Sequence, residues 1–475
     1  MARIVVVGAG MGAMAAAARL ATAGHRVTVV ERASTHGGAV GRFARDGFVF
    51  DTGPGLLHLP AVWRDLFIKT GKRELGECVG LDRVDPAVEH RFADGVSVRL
   101  PAALGGAQQA LDDALGAGAG ERWAALLRRA RQVWESTRRP LVEEPLTTQE
   151  QRAALREDPY PHEPRRGLLR RRTPGTLAEL AAAELREPRL AALLTGTVWE
   201  YGVDPAVAPP GAAALAYVER SFGSWYPAGG MRALADAVYE RCLERRVDFV
   251  FGTAAARVLA KDGRAGGVEL ADGAALPADS VVWGAPGLGA TAPRATGRLT
   301  VLLALRGPRP AGTPHRTLVH PADLDRPPVR VLRPDDPALR PDADHETAVL
   351  SAPAPAHGAG GVDWTAPGVA DRAADDLLAA AEAAGLDLAG RVLWRETRTP
   401  ADVERDTGMP GGAIPTPALA GADATFLAAA NTGRLTGAYR VGALAHPGGG
   451  LSHAGMSGAL ATGLIVEGPG WRGSY

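Results

Sequence analysis

"RIVVVGAGMGAMAAAARLATAGHRVTVVE", residues 3–31, decides the fold. Residues 4–7 are β-branched without alternation, the pattern of a parallel strand buried on both faces. The Ala-rich run 12–23 reads as a helix ended at Gly24, and "RVTVVE" returns as a second parallel strand, which makes a βαβ unit. Between strand and helix stands "GAGMGA", with Gly8, Gly10 and Ala13 spaced G-x-G-x-x-G/A. Glycines at that spacing permit a tight turn and close approach to a pyrophosphate, whose charge meets the N-terminus of the next helix. Glu31 ends the second strand, where a carboxylate accepts both ribose hydroxyls and repels a 2′-phosphate. Arg19 and the returning strand also argue against a cleaved leader.

The residues that follow select the dinucleotide. "ERASTHGG", residues 31–38, brings a second glycine pair directly after the ribose carboxylate and runs on to "DGFVFDTGPGLL", residues 46–57. NAD has no use for such a pair, whereas FAD has a longer body that needs further backbone donors. FAD is therefore the expected cofactor. No second nucleotide fingerprint follows, which argues against a nicotinamide acceptor.

At 475 residues the chain has room for two or three domains. Its 53 basic and 53 acidic residues balance, so no overall field draws it to nucleic acid. Arg128, Arg129, Arg131, Arg138 and Arg139, then Arg165, Arg166, Arg170, Arg171 and Arg172, gather in one third of the chain. They read as solvated faces or as contacts for anionic lipid headgroups. Cys78 and Cys242 are the only cysteines, which excludes a disulfide framework and a thiolate metal site. No metal is expected. With no apolar stretch of roughly 20 residues, the expected location is cytoplasmic.

Further along, a hairpin is expected around Asp94 and Gly95, and residues 104–200 read as mostly helical with a Pro- and Arg-rich break at 159–175. Residues 223–252 read as loop, helix and strand, and 255–286 as a meander turning at Asp262-Gly263 and Asp272-Gly273. Strands near 299–305, 347–352 and 391–395 flank a helix at 367–385.

"DGFVFDTGPGLLHLPAVWRDLF" (46–67), "YVERSFGSWYPAGGMRALADAV" (217–238), "TRTPADVERDTGMPGGAI" (397–414) and "GAYRVGALAHPGGGLSHAGMSGAL" (437–460) carry a resemblance. Nearly end to end, the chain resembles the bacterial phytoene desaturases, carotenoid desaturases within the amine-oxidase-like FAD superfamily. The resemblance implies an α/β fold: a Rossmann-like FAD-binding domain in three discontinuous segments, plus an α+β substrate domain with a mixed sheet and helices. The FAD segments are expected at 1–72, 223–290 and 397–475, and the substrate segments at 73–222 and 291–396.

By the same resemblance Gly8, Gly10, Gly12 and Ala13 match the phosphate turn, Glu31 with Arg32 the ribose end, and Gly37 and Gly38 the second phosphate contact. Gly53 and Pro54 match a loop that approaches the flavin, Ala255 a small residue at the adenine, and Gly442, Leu451 and Met456 the late flavin motif. Three departures stand out. Ala39 replaces the family's usual Arg, with Arg42 three residues on; Gly55 replaces Ser or Thr; Ser452 and His453 stand where a Pro is usual.

The implied activity is desaturation of a long isoprenoid such as phytoene, with electrons passed to oxygen or a quinone. The implied partners are a lipophilic substrate and a membrane surface touched peripherally. Oxidised flavin takes the hydride that no side chain can. His453 and His446 are the candidate catalytic groups for the accompanying proton. Trp199, Trp225 and Tyr226 read as core or as lining of a lipid path. Oxidation or isomerisation of another natural product, and a flavin-poor binding paralogue motivated by Ala39, are the rival readings. The charge-free stretch 441–460 is broken by Pro447 and by Gly448–Gly450. What remains is a helix from about residue 454, its N-terminal amides aimed at the flavin.

Overall fold

The structure is a computed structural model that describes residues 1–161, 173–287, 296–358 and 360–473. Arg165, Arg166, Arg170, Arg171 and Arg172 lie outside the described residues.

Five parallel strands form the first sheet, in the order Ala438–Arg440, Ser280–Trp283, Arg3–Val7, Arg26–Val30 and Asp248–Val250. The unalternated valines follow from burial on both sides. Ile4 and Val6 enter the core under the helices, while Val5 and Val7 pack with Val258 and Val268 of the three-stranded meander behind. Three stretches of chain supply this sheet, so the dinucleotide fold is closed by residues far apart in sequence.

The first helix, Met11–Thr22, is Ala-rich because a second helix presses on it. A Cβ at Gly458, in the last helix Leu451–Val466, would lie 2.5 Å from the Gly12 carbonyl oxygen. One at Gly12 would lie 2.6 Å from the Ala454 carbonyl oxygen. Each glycine is the room the other helix needs.

Seven strands form the second sheet: Val392–Arg398, Thr296–Arg306, His345–Pro355, Val329–Leu332, Arg316–His320, Val88–Phe92 and Ser97–Leu100. Only the Arg316–His320 and Val88–Phe92 pair is parallel. Val301, Leu303, Val331 and Leu350 pack beneath helix Val369–Ala383. Alternation therefore turns the intervening residues Thr300, Arg330 and Ser351, which pair across the strands in one row, to the opposite face. Helices between residues 107 and 222 form a third core against the edge of this sheet.

The expected hairpin, meander and helix are all present, with Gly95, Asp262 and Gly263 at positive φ in the turns. The last helix differs from expectation: it starts at Leu451 rather than near 454. Gly450, at φ 104°, turns the chain directly into it, and Ser452 and His453 anchor its first turn. Among the described residues no helix is long and apolar enough to cross a membrane.

Candidate functional site

Gly8, at φ 90°, hands the strand to the helix, and Gly10 caps that helix with no side-chain acceptor, so its first-turn N–H groups stay open to a ligand. Glu31 is fixed beside them. One carboxylate oxygen accepts from the Ala9 N–H at 2.6 Å and the other from the Ala33 N–H at 2.8 Å. Arg32 reaches the carbonyl of Arg405 at 2.9 Å and ties this corner to helix Pro400–Thr407.

The second glycine pair bridges back to the turn, Gly37 against Gly10. Beside it lies a cation that the sequence does not announce. Arg232 is buried and donates to the His36 carbonyl at 2.8 Å, the Thr35 hydroxyl at 2.8 Å and Asp236 at 2.7 Å. Its helix begins at Met231, where the Met231 and Arg232 N–H groups donate to Asp51 at 2.7 and 3.1 Å. Burial pushes the Asp51 carboxyl up to about 6, against those hydrogen bonds. Arg232 thus places positive charge at the loop where Ala39 leaves none. Arg42 is exposed, on the strand opposite Asp51.

These elements open on one cavity of about 1580 Å³. That exceeds the usual ~300–1,000 Å³ of a single-ligand site, so there is room for a dinucleotide and a second molecule. Gly8, Gly10, Gly12, Ala13, Glu31, Arg32, Gly37, Gly38, Arg42, Gly53, Pro54, Ala255, Gly442, Leu451 and His453 all line it. Met456 does not; it packs against the apolar cluster that contains Leu141 and Leu146. The donor set and the crowded glycines fit FAD. At Gly53 a Cβ would sit 1.9 Å from the Ala39 carbonyl oxygen, which only glycine allows.

At the other end the wall is apolar, with Val133, Trp134, Leu141, Val142, Leu215 and Leu419. Trp134 and Tyr201 are the aromatics there. Trp199, Trp225 and Tyr226 are not part of the lining; Trp225 pairs with Leu57, and Tyr226 donates to Asp336.

The two candidate histidines separate. His453 lines the cavity, and its Nδ1 lies 2.8 Å from the Gly449 carbonyl oxygen. A carbonyl only accepts, so Nδ1 carries the proton and Nε2 keeps its lone pair. Burial holds its pKa below the ordinary value. His446 is a correction to expectation. It is fully buried outside the cavity lining, Nε2 donating to the Glu144 carbonyl at 3.0 Å, and burial lowers it to about 4. It braces a loop and meets no ligand space. Ser452 lines the cavity, but its hydroxyl donates to the His58 carbonyl, with the Leu59 carbonyl 3.2 Å away.

A buried ionic cluster escaped sequence reasoning altogether. The Arg316 guanidinium bridges Glu200 and Glu219; Arg330 lies 3.5 Å from Glu200 and donates to Ser351 at 3.1 Å; Arg298 donates to the Glu200 carbonyl at 2.7 Å. His58 stands 3.9 Å from Glu219. Burial pushes Glu219 up to about 7 and, with Arg316 nearby, His58 down to about 3. The five charged residues are spread from 200 to 330 and share no motif.

A model of the family "Flavin containing amine oxidoreductase" matches residues 14–294. A 4,4'-diapolycopene oxygenase from Methylomonas sp is 29% identical over 59% of this chain, and the chain spans 55%, about half, of that relative's length. A hydroxyneurosporene desaturase from Rubrivivax gelatinosus is 30% identical over 98% of this chain and 93% of its own. Among solved structures, an oxidoreductase from Methanosarcina mazei has a TM-score of 0.63 at 16% identity, covering 96% of this chain and 99% of that one, which is a likeness of fold.

Proposed function

Because the chain belongs to the flavin-containing amine oxidoreductases, and among them to the carotenoid desaturase family, we propose that it is an FAD-dependent desaturase that introduces double bonds into a long isoprenoid chain. The observation that carries this reading is one cavity with a dinucleotide turn at one end and an apolar chamber at the other. FAD, when bound, supplies the hydride acceptor.

This chain's own residues do the rest. The open amides of Met11–Thr22 and the Arg232 charge hold the pyrophosphate, and Glu31 holds the ribose. Gly53, Pro54, Gly442 and Leu451 shape the space for the ring. His453 Nε2 takes the proton that leaves the substrate carbon, and the apolar wall excludes water. On this reading residues 1–72, 223–290 and 397–475 form the cofactor domain, and 73–222 and 291–396 the substrate domain. A hydrocarbon substrate resides in a bilayer, so the protein docks on membrane surfaces without crossing them, and oxygen or a quinone takes the electrons.

The test is co-expression with a phytoene-forming condensing enzyme, followed by chromatography of the extracted pigments. Desaturated polyenes are expected. Flavin-loaded protein that desaturates neither phytoene nor any other long isoprenoid supplied to it would overturn the proposal.

A further inference from the structure

A pure hydrocarbon gives a protein no reason to keep charge at the wall of its chamber, yet this wall is charged. Glu200, Glu219, Arg298 and Arg330 all line the cavity, with Tyr201 and His58 beside them. Arg316, 1% exposed, stands behind.

The charges do not balance. Arg298, Arg316 and Arg330 bring three positive charges, and Glu200 and Glu219 two negative ones. Arg316 uses both carboxylates, and Arg330 shares Glu200. Arg298 meets only a backbone carbonyl and has no carboxylate partner among the described residues. Protonation of Glu219, which burial favours, widens the excess. Arg298 is half-buried at the cavity wall, where an unpaired cation is poorly solvated and gains from an incoming anion.

Geometry says where the anion would sit. Arg330 and Thr300 flank Ser351 in one cross-strand row, and Arg298 is two residues from Thr300 on the same strand, so both guanidinium groups lie on the cavity face of the sheet. The row is also close to the reacting end. Leu332, two residues from Arg330, meets Gly55 so tightly that a Cβ there would be 2.3 Å from it. His58, whose carbonyl accepts from Ser452 at the start of the last helix, faces Glu219.

We propose that this cluster is a carboxylate-recognition subsite, and that the substrate is an isoprenoid chain bearing an acid group held by Arg298 and Arg330. The inference rests on the desaturase reading of the same cavity and deepens it. The apolar wall takes the chain, and the two guanidinium groups take the acid, which fixes the register of the chain in the chamber.

The full-length, FAD-loaded protein is titrated with geranylgeranoic acid, the alcohol of the same chain, and acetate, following perturbation of the flavin absorbance. The acid is expected to bind at least about 10-fold tighter than the alcohol, from one charge-assisted pair, and acetate weakly. In Arg298→Gln the acid-to-alcohol ratio should collapse towards one, and in Arg298→Lys part of it should return. The flavin content of each variant reports whether it has folded. Equal binding of acid and alcohol, a preference that survives Arg298→Gln, or acetate binding as tightly as the acid would each overturn the subsite. Conversion of phytoene without preference for the acid sinks this inference alone; failure of both isoprenoids and phytoene to perturb or reduce the flavin sinks the desaturase reading itself.

Discussion

Gly458→Ala tests the helix contact on which the dinucleotide turn rests. The new methyl carbon would stand 2.5 Å from the Gly12 carbonyl oxygen, 2.9 Å from the Ala16 nitrogen and 3.1 Å from the Ala15 Cβ. Ordinary contact begins near 3.5 Å, so the two helices must separate by about 1 Å. Overpacking of this kind costs about 1–3 kcal/mol, offset by about 1 kcal/mol of improved helix propensity. The protein without cofactor should therefore lose about 0–2 kcal/mol. The larger effect falls on FAD. A shift of about 1 Å stretches an amide-to-phosphate hydrogen bond beyond useful length, and each charged bond of this type is worth about 1.5–3 kcal/mol. FAD should bind about 10- to 150-fold more weakly. The assays are urea denaturation of the apoprotein and FAD titration by fluorescence quenching. Gly76→Ala, at an exposed position of the short helix Leu75–Cys78 with nothing within 4 Å of the new carbon, serves as control and should leave FAD affinity unchanged. If Gly458→Ala binds FAD as the parent does, the close helix contact does not position the phosphate turn.

Three further outcomes follow from other parts of the site. Glu31→Gln leaves one backbone N–H without its carboxylate acceptor, so the apoprotein should lose about 1–3 kcal/mol and FAD affinity should fall about tenfold or more; an unchanged denaturation midpoint would refute the bonds to Ala9 and Ala33. His453→Gln should slow single-turnover flavin reduction about 10²- to 10⁴-fold without lowering flavin content, and a rate like the parent's removes His453 as proton acceptor. Stability should fall on acidification. Burial holds His58, His90, His315, His320 and His446 below the ordinary imidazole range, so the stabilisation they contribute is complete above about 6.5 and is lost as the unfolded chain takes up protons below it. Glu219 and Asp51, raised to about 7 and about 6, act in the opposite sense. The lowered histidines, His453 among them, outnumber the two raised carboxyls, so stability falls on balance as the pH drops below about 6.5. A urea midpoint that is flat between pH 7 and pH 5.5 would contradict it.

The legible part of this protein is local. Strand, turn, helix and strand at residues 3–31 follow from hydrophobic period and glycine placement, which depend on neighbours in sequence. The hairpin and meander turns follow from Asp-Gly pairs that accept positive φ. The second glycine pair, read from the sequence as a phosphate contact, lines the cavity with Gly37 bridged to Gly10 of the first turn.

What sequence reasoning missed depends on distance. His446 and His453 look equivalent seven residues apart, but the entry into the last helix turns one towards the cavity and buries the other against Glu144. Arg232 donates to the carbonyl of His36 in a loop nearly 200 residues earlier, and no spacing rule joins them. The carboxyls and guanidinium groups at the chamber wall come from two helices and three strands. Sequence alone determined the fold class, the cofactor and the family, because each is written in contiguous motifs. Only the tertiary structure decided which charged groups share a buried wall and fail to balance, since charge balance is a sum over space and not along the chain.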